Sequence, residues 1–353
     1  MGITYLESVV LSILKRINGE RTIFSVFHLL QGKRSSQTIQ DAHLYKITAY
    51  FSTYPSVTRD GLERMVSRLQ HKGLVEELAE TKVTLTSKGT EELKFHLSKC
   101  PPPEFLNGWK YHQVTESFWE RLTLLIQVSS NLINQERAYI PVRNKAETLS
   151  WVRQYLKQQN EDRYVLAEKL YKELIKALDN YGTRPESVVL RLTGYRKIGL
   201  TIMQASELTG LEPAHYHYEF LNCLHAMFDK IHNTPSEYPL LSGMLNKAER
   251  DVPLTLSTDK TYNLLQRNYT LEEIAAVRNL KQSTIEDHIV EIALTIMDFD
   301  IDHYVSSSKQ EKILQASQEN SSKKLKQIKE RVDDVSYFEI RLVLAKYGDM
   351  KWN

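Results

Sequence analysis

The chain has 353 residues, of which 41% are hydrophobic and 25% are charged. This balance is typical of globular proteins and excludes a chain that is disordered or fibrous as a whole, and the length predicts two or three domains. With 46 basic and 44 acidic residues the net charge is only +2, so any attraction to nucleic acid or anionic lipid must come from local patches.

The cysteine content and the N-terminal residues predict a cytoplasmic protein. The two cysteines, Cys100 and Cys223, lie too far apart for a Cys-x-x-Cys motif and are too few for a disulfide framework or a four-thiolate zinc site. The first residues lack the basic segment and cleavage site of a secretory signal. No apolar run approaches the ~20 residues of a membrane span, so no membrane partner is expected.

The N-terminal part is expected to form a winged helix. Apolar spacings of three and four predict amphipathic helices over 5–31 and 59–72. The segments LVEELA and VTLTSKG then alternate with period two around a polar apex at 80–82, which indicates a two-stranded hairpin. Helices followed by a hairpin predict a winged-helix domain over 1–100.

A run of three prolines at 101–103 marks the next boundary, because proline continues neither a helix nor a sheet. The following segment is predicted to be a helical domain over 104–250. Within it, leucines at strict spacings of four are expected to lie in the core: Leu166, Leu170, Leu174 and Leu178.

The sequence contains an internal repeat. The segment that begins at Thr201 matches the segment that begins at Thr270, with Leu208 aligned to Val277. Each copy is predicted to be a helix, a tight turn and a second helix, which is the helix-turn-helix arrangement. The first copy, at about 201–228, is a degenerate unit inside the second domain.

The second copy opens a third predicted domain, 255–353. Its helix starts are indicated by two capping boxes, in which a Ser or Thr and a Glu three residues later satisfy each other's free backbone amides. These are Thr270 with Glu273 and Ser283 with Glu286; a third, Ser336 with Glu339, starts the last helix. The fold class is therefore mainly α, with a winged helix followed by helical domains that include two helix-turn-helix units.

Motifs of common enzymes are not found, so no enzymatic activity and no cofactor are expected. The sequence lacks the phosphate-binding loop of NTPases, the dinucleotide fingerprint, the nucleophile elbow and the zinc-protease motif. Three histidines, His215, His217 and His225, share one helical stretch. Because His215 and His217 lie about 200° apart on a helix, we expect half-buried surface histidines and no metal site.

Two parts of the chain resemble accessory domains of RecQ-type DNA helicases. The N-terminal ninety residues resemble the RQC winged-helix domain through VLSILKRIN at 10–18, LLQGKRSSQTIQD at 29–41 and LERMVSRLQHKGLVEE at 62–77. Residues 258–347 resemble the helicase helix-turn-helix domain, and the whole chain is similar to the YpbB family of low-GC Gram-positive bacteria. The resemblance implies a RecQ-type helicase as partner. The hairpin apex lacks an aromatic residue, so a base-unstacking pin is not expected.

Candidate DNA-contacting residues are basic or hydroxyl side chains near the predicted winged helix and the second helix-turn-helix. Residues 1–97 carry 13 basic and 10 acidic residues, whereas residues 260–309 carry five and eight. The second helix of the second helix-turn-helix is expected to point Glu286, Asp287 and Glu291 outward. These carboxylates would repel phosphates and favour protein docking. The candidates are Lys33, Arg34, Arg59, Arg64, Arg68, Lys72, Lys82, Lys281, Ser283 and Thr284.

We expect a non-catalytic adaptor that holds duplex or forked DNA without strong sequence preference and docks a RecQ-type helicase, with no small-molecule substrate. Two alternatives stay open. One is a winged-helix and helix-turn-helix transcription regulator that acts without a helicase. The other is a structural scaffold without DNA affinity, in which the basic residues are ordinary solvated side chains.

Overall fold

The computed structural model describes residues 2–159, 161–245, 254–296, 298–319 and 325–347. The chain divides into two compact units. Unit 1 comprises Met1–Ser8 and Phe95–Asp251, and unit 2 comprises Val9–Lys94 and Val252–Asn353. The described part is mainly α, as predicted, with two short strands. The predicted domain limits 1–100, 104–250 and 255–353 stay predictions, and residues 246–253 and 348–353 lie outside the described residues.

The N-terminal elements are helices followed by a hairpin and one further helix. Their bounds are α1 Tyr5–Ile17, α2 Ile23–Gln31, α3 Ser36–Leu44, α4 Arg59–His71, β1 Val75–Ala79, β2 Lys82–Leu85 and α5 Ser87–Lys99, with a 3₁₀ turn at Thr48–Tyr50. The single helix predicted over 5–31 is wrong. Asn18 and Gly19 both have left-handed φ angles, of 47° and 69°, which end α1 before α2 begins.

The hairpin is antiparallel, with Val75 opposite Leu85 and a register shift between Glu77 and Ala79. Its apex is tied down, because the backbone N–H of Ile23 donates to the carbonyl oxygen of Thr81 at 2.8 Å. The residues SKG that end the predicted second strand instead begin α5. Thr86 caps this helix by accepting from the N–H of Gly89 at 3.0 Å.

Unit 1 is helical around the long helix α12. Its tyrosines Tyr216 and Tyr218 are fully buried, and its Phe228 ring packs edge-on against Phe118 of α7 with centroids 4.9 Å apart. The four leucines predicted as core are buried. The helices are α6 Gly108–Tyr111, α7 Thr115–Ile133, α8 Ala146–Gln158, α9 Arg163–Leu178, α10 Glu186–Val189, α11 Ile202–Thr209, α12 Pro213–Asn233 and α13 Pro239–Met244, with a 3₁₀ turn at Pro235–Glu237.

Among the described residues, the C-terminal part of unit 2 contains six helices around α16, Gln282–Thr295. Two of the predicted capping boxes are confirmed: Thr270 with Glu273, and Ser336 with Glu339. The third is wrong, because α16 begins at Gln282 after Lys281 and so places Ser283 inside the first turn. The helices are α14 Leu256–Leu265, α15 Leu271–Arg278, α16 Gln282–Thr295, α17 Ser307–Glu319, α18 Leu325–Lys329 and α19 Tyr337–Tyr347.

Both copies of the repeat form a helix-turn-helix. In the first copy, α11 ends at Gly210 with a left-handed φ of 68°, and in the second, α15 ends at Asn279 with a φ of 50°. A left-handed residue lets the chain turn sharply after the last helical carbonyl groups. The aligned residues Leu208 and Val277 are exposed in both copies, so they lie outside the core.

Candidate nucleic-acid interface

The outer face of α4 carries a line of basic side chains. Arg64 and Arg68 are exposed, and Lys72 follows as the C-terminal cap of the helix. A spacing of four residues places these three on one stripe, opposite the buried face that contains Leu62 and Leu69. This stripe immediately precedes the hairpin. Arg64 and Arg68 therefore form a solvent-facing basic surface on unit 2, which the half-buried Lys72 extends.

A second group of predicted residues lies beside α2. The guanidinium carbon of Arg59 lies 4.0 Å from the ring centroid of Phe24, and the same side chain forms an exposed ion pair with Glu63. His28, one turn after Phe24, has its pKa lowered by burial and then by the charges of Lys33 and Arg59. Lys33 and Arg59 therefore lie close enough to His28 for their positive charges to oppose its protonation.

Phe24, His28 and Lys33 line a cavity of about 680 Å³ in unit 2, and Lys82 from the hairpin lines it as well. The structure thus brings Lys33 and Lys82, which are far apart in sequence, to the same concave surface. Cations around a concavity raise the local concentration of anionic ligands. Sequence reasoning missed Phe24 and His28, although their i, i+4 spacing was visible as one helical face.

Arg21 and Asp41 also line this cavity, as a buried ion pair. The Nε atom of Arg21 donates to both carboxylate oxygens of Asp41 at 3.0 Å. Burial raises the pKa of Asp41, and the charge of Arg21 opposes that shift. Because its N–H groups are directed at Asp41, Arg21 holds the start of α2 against α3.

Contrary to the prediction from the sequence, the central part of α16 does not face solvent. Glu291 is only 6% exposed and accepts hydrogen bonds from the backbone of Thr255 and from the hydroxyl of Thr258, the latter at 2.6 Å. Asp287 accepts from Arg341 of α19 at 2.6 Å and from Ser36 of α3 at 2.9 Å. The prediction that Glu286, Asp287 and Glu291 point outward is therefore wrong for Asp287 and Glu291, because packing partners from elsewhere in the chain contact them. Glu286 is half-buried.

Helix α3 packs along α16 within unit 2. Besides the Ser36 bond, Arg341 donates from Nε to the side-chain oxygen of Gln40 at 3.0 Å. Arg34, predicted to contact DNA, lies near Glu291 instead. Burial raises the pKa of Glu291, and the positive charge of Arg34 is one of the effects that oppose this shift. The middle of α16 is thus covered by α3 and cannot enter a DNA groove in this arrangement.

The fully exposed side chains of α16 lie at its N-terminal end. Lys281 and Ser283 are exposed and Thr284 is half-buried. The preceding cation, Arg278, is directed inward: it donates to the carbonyl and hydroxyl oxygens of Ser257 at 2.7 and 3.0 Å. The basic and hydroxyl groups that α16 presents are therefore confined to its N-terminal end.

Comparisons with known proteins agree with this architecture. A family model described as a helix-turn-helix domain matches residues 257–344. "Protein YpbB" of Bacillus subtilis (strain 168) is 35% identical over 352 residues, which cover 98% of each chain. The chain belongs to the YpbB family. No solved structure matches it.

The family assignment and the C-terminal helix-turn-helix unit are thereby confirmed, and the helix-turn-helix match suggests DNA binding. The likeness of the N-terminal region of this YpbB-family protein to RQC domains stays a prediction. In the described part of the chain, every helix is too short or too polar to cross a membrane.

The histidines of α12 have structural surroundings. His215 and His217 are half-buried, and His215 stacks on Tyr5 with ring centroids 4.2 Å apart. His225 is fully buried, contrary to prediction, and its Nδ1 accepts from the backbone N–H of Asn107 at 3.0 Å. Burial lowers the pKa of His225 to about 3. No cluster of three or more His, Cys, Asp or Glu residues suited to a metal ion occurs among the described residues of this YpbB-family protein.

Proposed function

We propose that this YpbB-family protein is a non-catalytic DNA-binding accessory protein of a RecQ-type helicase. The observation that carries the DNA-binding part is the basic stripe of Arg64, Arg68 and Lys72 on the exposed face of α4. Phosphate contacts by such cations supply affinity without reading sequence. The expected ligand is therefore duplex or forked DNA with little sequence preference.

The residues around the cavity extend this surface. Lys33 and Lys82 line it, and Arg59 stacks on Phe24 at its edge. A concave basic surface can hold a phosphate backbone more closely than a flat one, because the low-dielectric walls focus the electrostatic field. The first turn of α16, with Lys281, Ser283 and Thr284, is a smaller second contact of the same kind.

The helicase part of the proposal rests on resemblance. RQC-like and helicase-type helix-turn-helix regions accompany a motor in RecQ enzymes, whereas this sequence contains no phosphate-binding loop of its own. We therefore place the motor on a separate chain that this protein helps to hold on DNA. No cofactor and no small-molecule substrate are part of the proposal.

A transcription regulator that reads an operator with α16 is the competing proposal. Reading base edges requires several side chains of the recognition helix to enter the major groove. Here α3 covers the middle of α16 through the Ser36–Asp287 hydrogen bond. The geometry therefore favours phosphate contacts by the N-terminal region over base readout by α16.

The first test measures binding to forked DNA by fluorescence anisotropy. Arg64→Glu/Arg68→Glu should weaken binding at least tenfold, because two phosphate contacts become repulsive. The matched control is Lys169→Glu/Lys172→Glu, which makes the same charge change on the exposed face of α9 in unit 1. Equal affinity of the wild type and the α4 variant would contradict the assignment of α4.

The second test concerns the partner. A purified RecQ-type helicase from the same organism should be retained by the immobilised full-length protein and should bind forked DNA more tightly in its presence. A sequence-specific footprint with two half-sites, together with no retention of the helicase, would favour the transcription regulator instead.

A further inference from the structure

Unit 1 carries a tight turn at residues 194–197. The backbone groups of Gly194 and Lys197 exchange hydrogen bonds of 2.9 and 3.2 Å, which leaves Tyr195 and Arg196 as the two residues of the bend. Arg196 has a left-handed φ of 54°, which is uncommon for a residue other than glycine. A chain held in this conformation needs support from its surroundings.

That support comes from both sides of the turn. The N–H of Tyr195 donates to the hydroxyl of Ser130 on α7 at 2.8 Å, and the N–H of Gly199 donates to the hydroxyl of Thr193 at 3.0 Å. A side chain at Gly199 would place Cβ 2.3 Å from the carbonyl oxygen of Arg191, so the base of the turn closes too tightly for any residue but glycine. These contacts hold the turn in one conformation.

Arg191 fixes the base of the turn on the core of unit 1. Its guanidinium carbon lies 4.2 Å from the ring centroid of Phe220 and 5.3 Å from that of Trp119. Burial lowers the pKa of Arg191 to about 10, so the group still carries its charge at neutral pH. This segment thus carries one half-buried cation, Arg191, and two exposed ones, Arg196 and Lys197.

The exposed side chains of the turn are basic and apolar. Arg196 and Lys197 are exposed, neither forms an ion pair with any described residue, and Ile198 is 89% exposed. Residues 187–206 contain no Asp or Glu, although acidic residues make up 44 of the 353 in the chain. An apolar side chain held in water beside two cations indicates a ligand that offers both anions and apolar surface.

The loop 137–145, which is hydrogen-bonded to α7, has the same character. The side chain of Gln127, one turn before Ser130, accepts from the N–H of Val142 at 2.7 Å and donates to the carbonyl oxygen of Ile140 at 3.0 Å. Ile140 is 88% exposed, and residues 137–145 contain no acidic residue. The two segments therefore lie along one side of α7.

We propose that the turn at 194–197, with Ile140 and Ile198 beside it, binds single-stranded DNA. Single strands expose unstacked bases against which apolar side chains can pack, and their phosphates suit Arg196 and Lys197. A duplex hides its base faces and offers only the charge. The choice of DNA as the ligand rests on the proposed function, but the site lies in the other unit and involves none of the α4 residues.

The test uses the full-length chain and a thymine oligonucleotide of about 20 nucleotides, with a blunt duplex for comparison. Arg196→Asn/Lys197→Gln removes both charges and keeps a residue that tolerates the left-handed bend. We expect its affinity for the single strand to fall about three- to tenfold and the salt slope to flatten by about 1.4, at ~0.7 per lost phosphate contact. Lys169→Gln/Lys172→Gln on α9 removes the same charge and should change neither the single-strand affinity nor the salt slope.

Ile198→Ser should weaken single-strand binding without changing the salt slope, because it removes apolar contact and no charge. An unchanged single-strand affinity in Arg196→Asn/Lys197→Gln would overturn the inference. If Arg64→Glu/Arg68→Glu at the same time weakened the affinity for forked DNA, the proposed function would still stand. Absence of any DNA binding by the wild type would overturn both. Binding of phosphatidylserine vesicles that depends on Arg196 and Lys197, with no effect of these residues on DNA, would assign the turn to membranes and overturn the inference.

Discussion

Arg341 of α19 and Asp287 of α16 form an ion pair in which Nη1 lies 2.6 Å from Oδ1. The other carboxylate oxygen of Asp287 accepts from Ser36 of α3, and Nε of Arg341 donates to Gln40 of the same helix. Asp287, which was expected to point outward, thus helps to join the C-terminal helix-turn-helix to α3. Unit 2 owes part of its cohesion to this group of contacts.

Replacing Arg341 should therefore destabilise unit 2. Arg341→Ala leaves Asp287 with Ser36 as its remaining donor and takes the donor from the side-chain oxygen of Gln40. We therefore expect a loss of about 1–3 kcal/mol in the free energy of unfolding. Chemical denaturation followed by circular dichroism measures it. In a double-mutant cycle with Asp287→Ala, the combined cost should be clearly less than the sum. Additive costs would show that the pair contributes no coupling.

Gly89 is expected to tolerate no side chain. A Cβ there would lie 1.9 Å from the carbonyl oxygen of Leu74 and 2.8 Å from its carbonyl carbon, so the clash is with backbone. Gly89→Ala should cost about 2–4 kcal/mol, because α5 must move away from the residue that starts the hairpin. Gly73→Ala is the informative comparison. Its φ of 69° is strained for alanine, but nothing lies within 4 Å of the new Cβ, so its cost should be smaller, about 1 kcal/mol.

The stability of unit 2 should depend on pH through His288. Burial, followed by the charge of Arg278, lowers the pKa of His288 to about 4, and its Nδ1 lies 2.8 Å from the hydroxyl of Thr261. A histidine whose pKa is depressed on folding contributes stability that is fully present above about pH 6.5 and is lost as the pH falls towards 4. Denaturation midpoints at several pH values should show this decline.

His288→Gln is the control for that pH dependence, since glutamine keeps a polar side chain and does not titrate. The decline between pH 6.5 and 4 should be smaller in the variant than in the wild type. Because His225 in unit 1 also has a depressed pKa, a remaining dependence is expected. Identical pH profiles for the two proteins would argue against the buried neutral His288.

DNA binding should weaken as salt increases. If three to five cations of the N-terminal region contact phosphates, the logarithm of the binding constant should fall with the logarithm of salt concentration at a slope of about −3 to −5. Titrations with forked DNA at several salt concentrations measure this slope. Arg64→Gln/Arg68→Gln should reduce its magnitude by about 2, at ~0.9 per phosphate. A slope near zero would leave no role for the α4 stripe.

Local features were predictable from the sequence because their causes are local. The apolar spacing of Leu62, Met65, Val66 and Leu69 determined the buried face of α4, and therefore the exposure of Arg64 and Arg68. The capping boxes at Thr270 and Ser336 involve residues only three positions apart. The error over 5–31 was also local, because Asn18 and Gly19 together indicate a break that periodicity alone did not reveal.

Contacts between distant segments were decided only by the tertiary structure. Helical spacing places Glu286, Asp287 and Glu291 on α16 but does not say which helix packs against them. Ser36 donates a hydrogen bond to Asp287 across 251 positions. Lys33 and Lys82 line one cavity that no sequence pattern indicated. Periodicity specifies which residues share a face, whereas the identity of the facing neighbour depends on shape and charge complementarity between elements that are far apart along the chain.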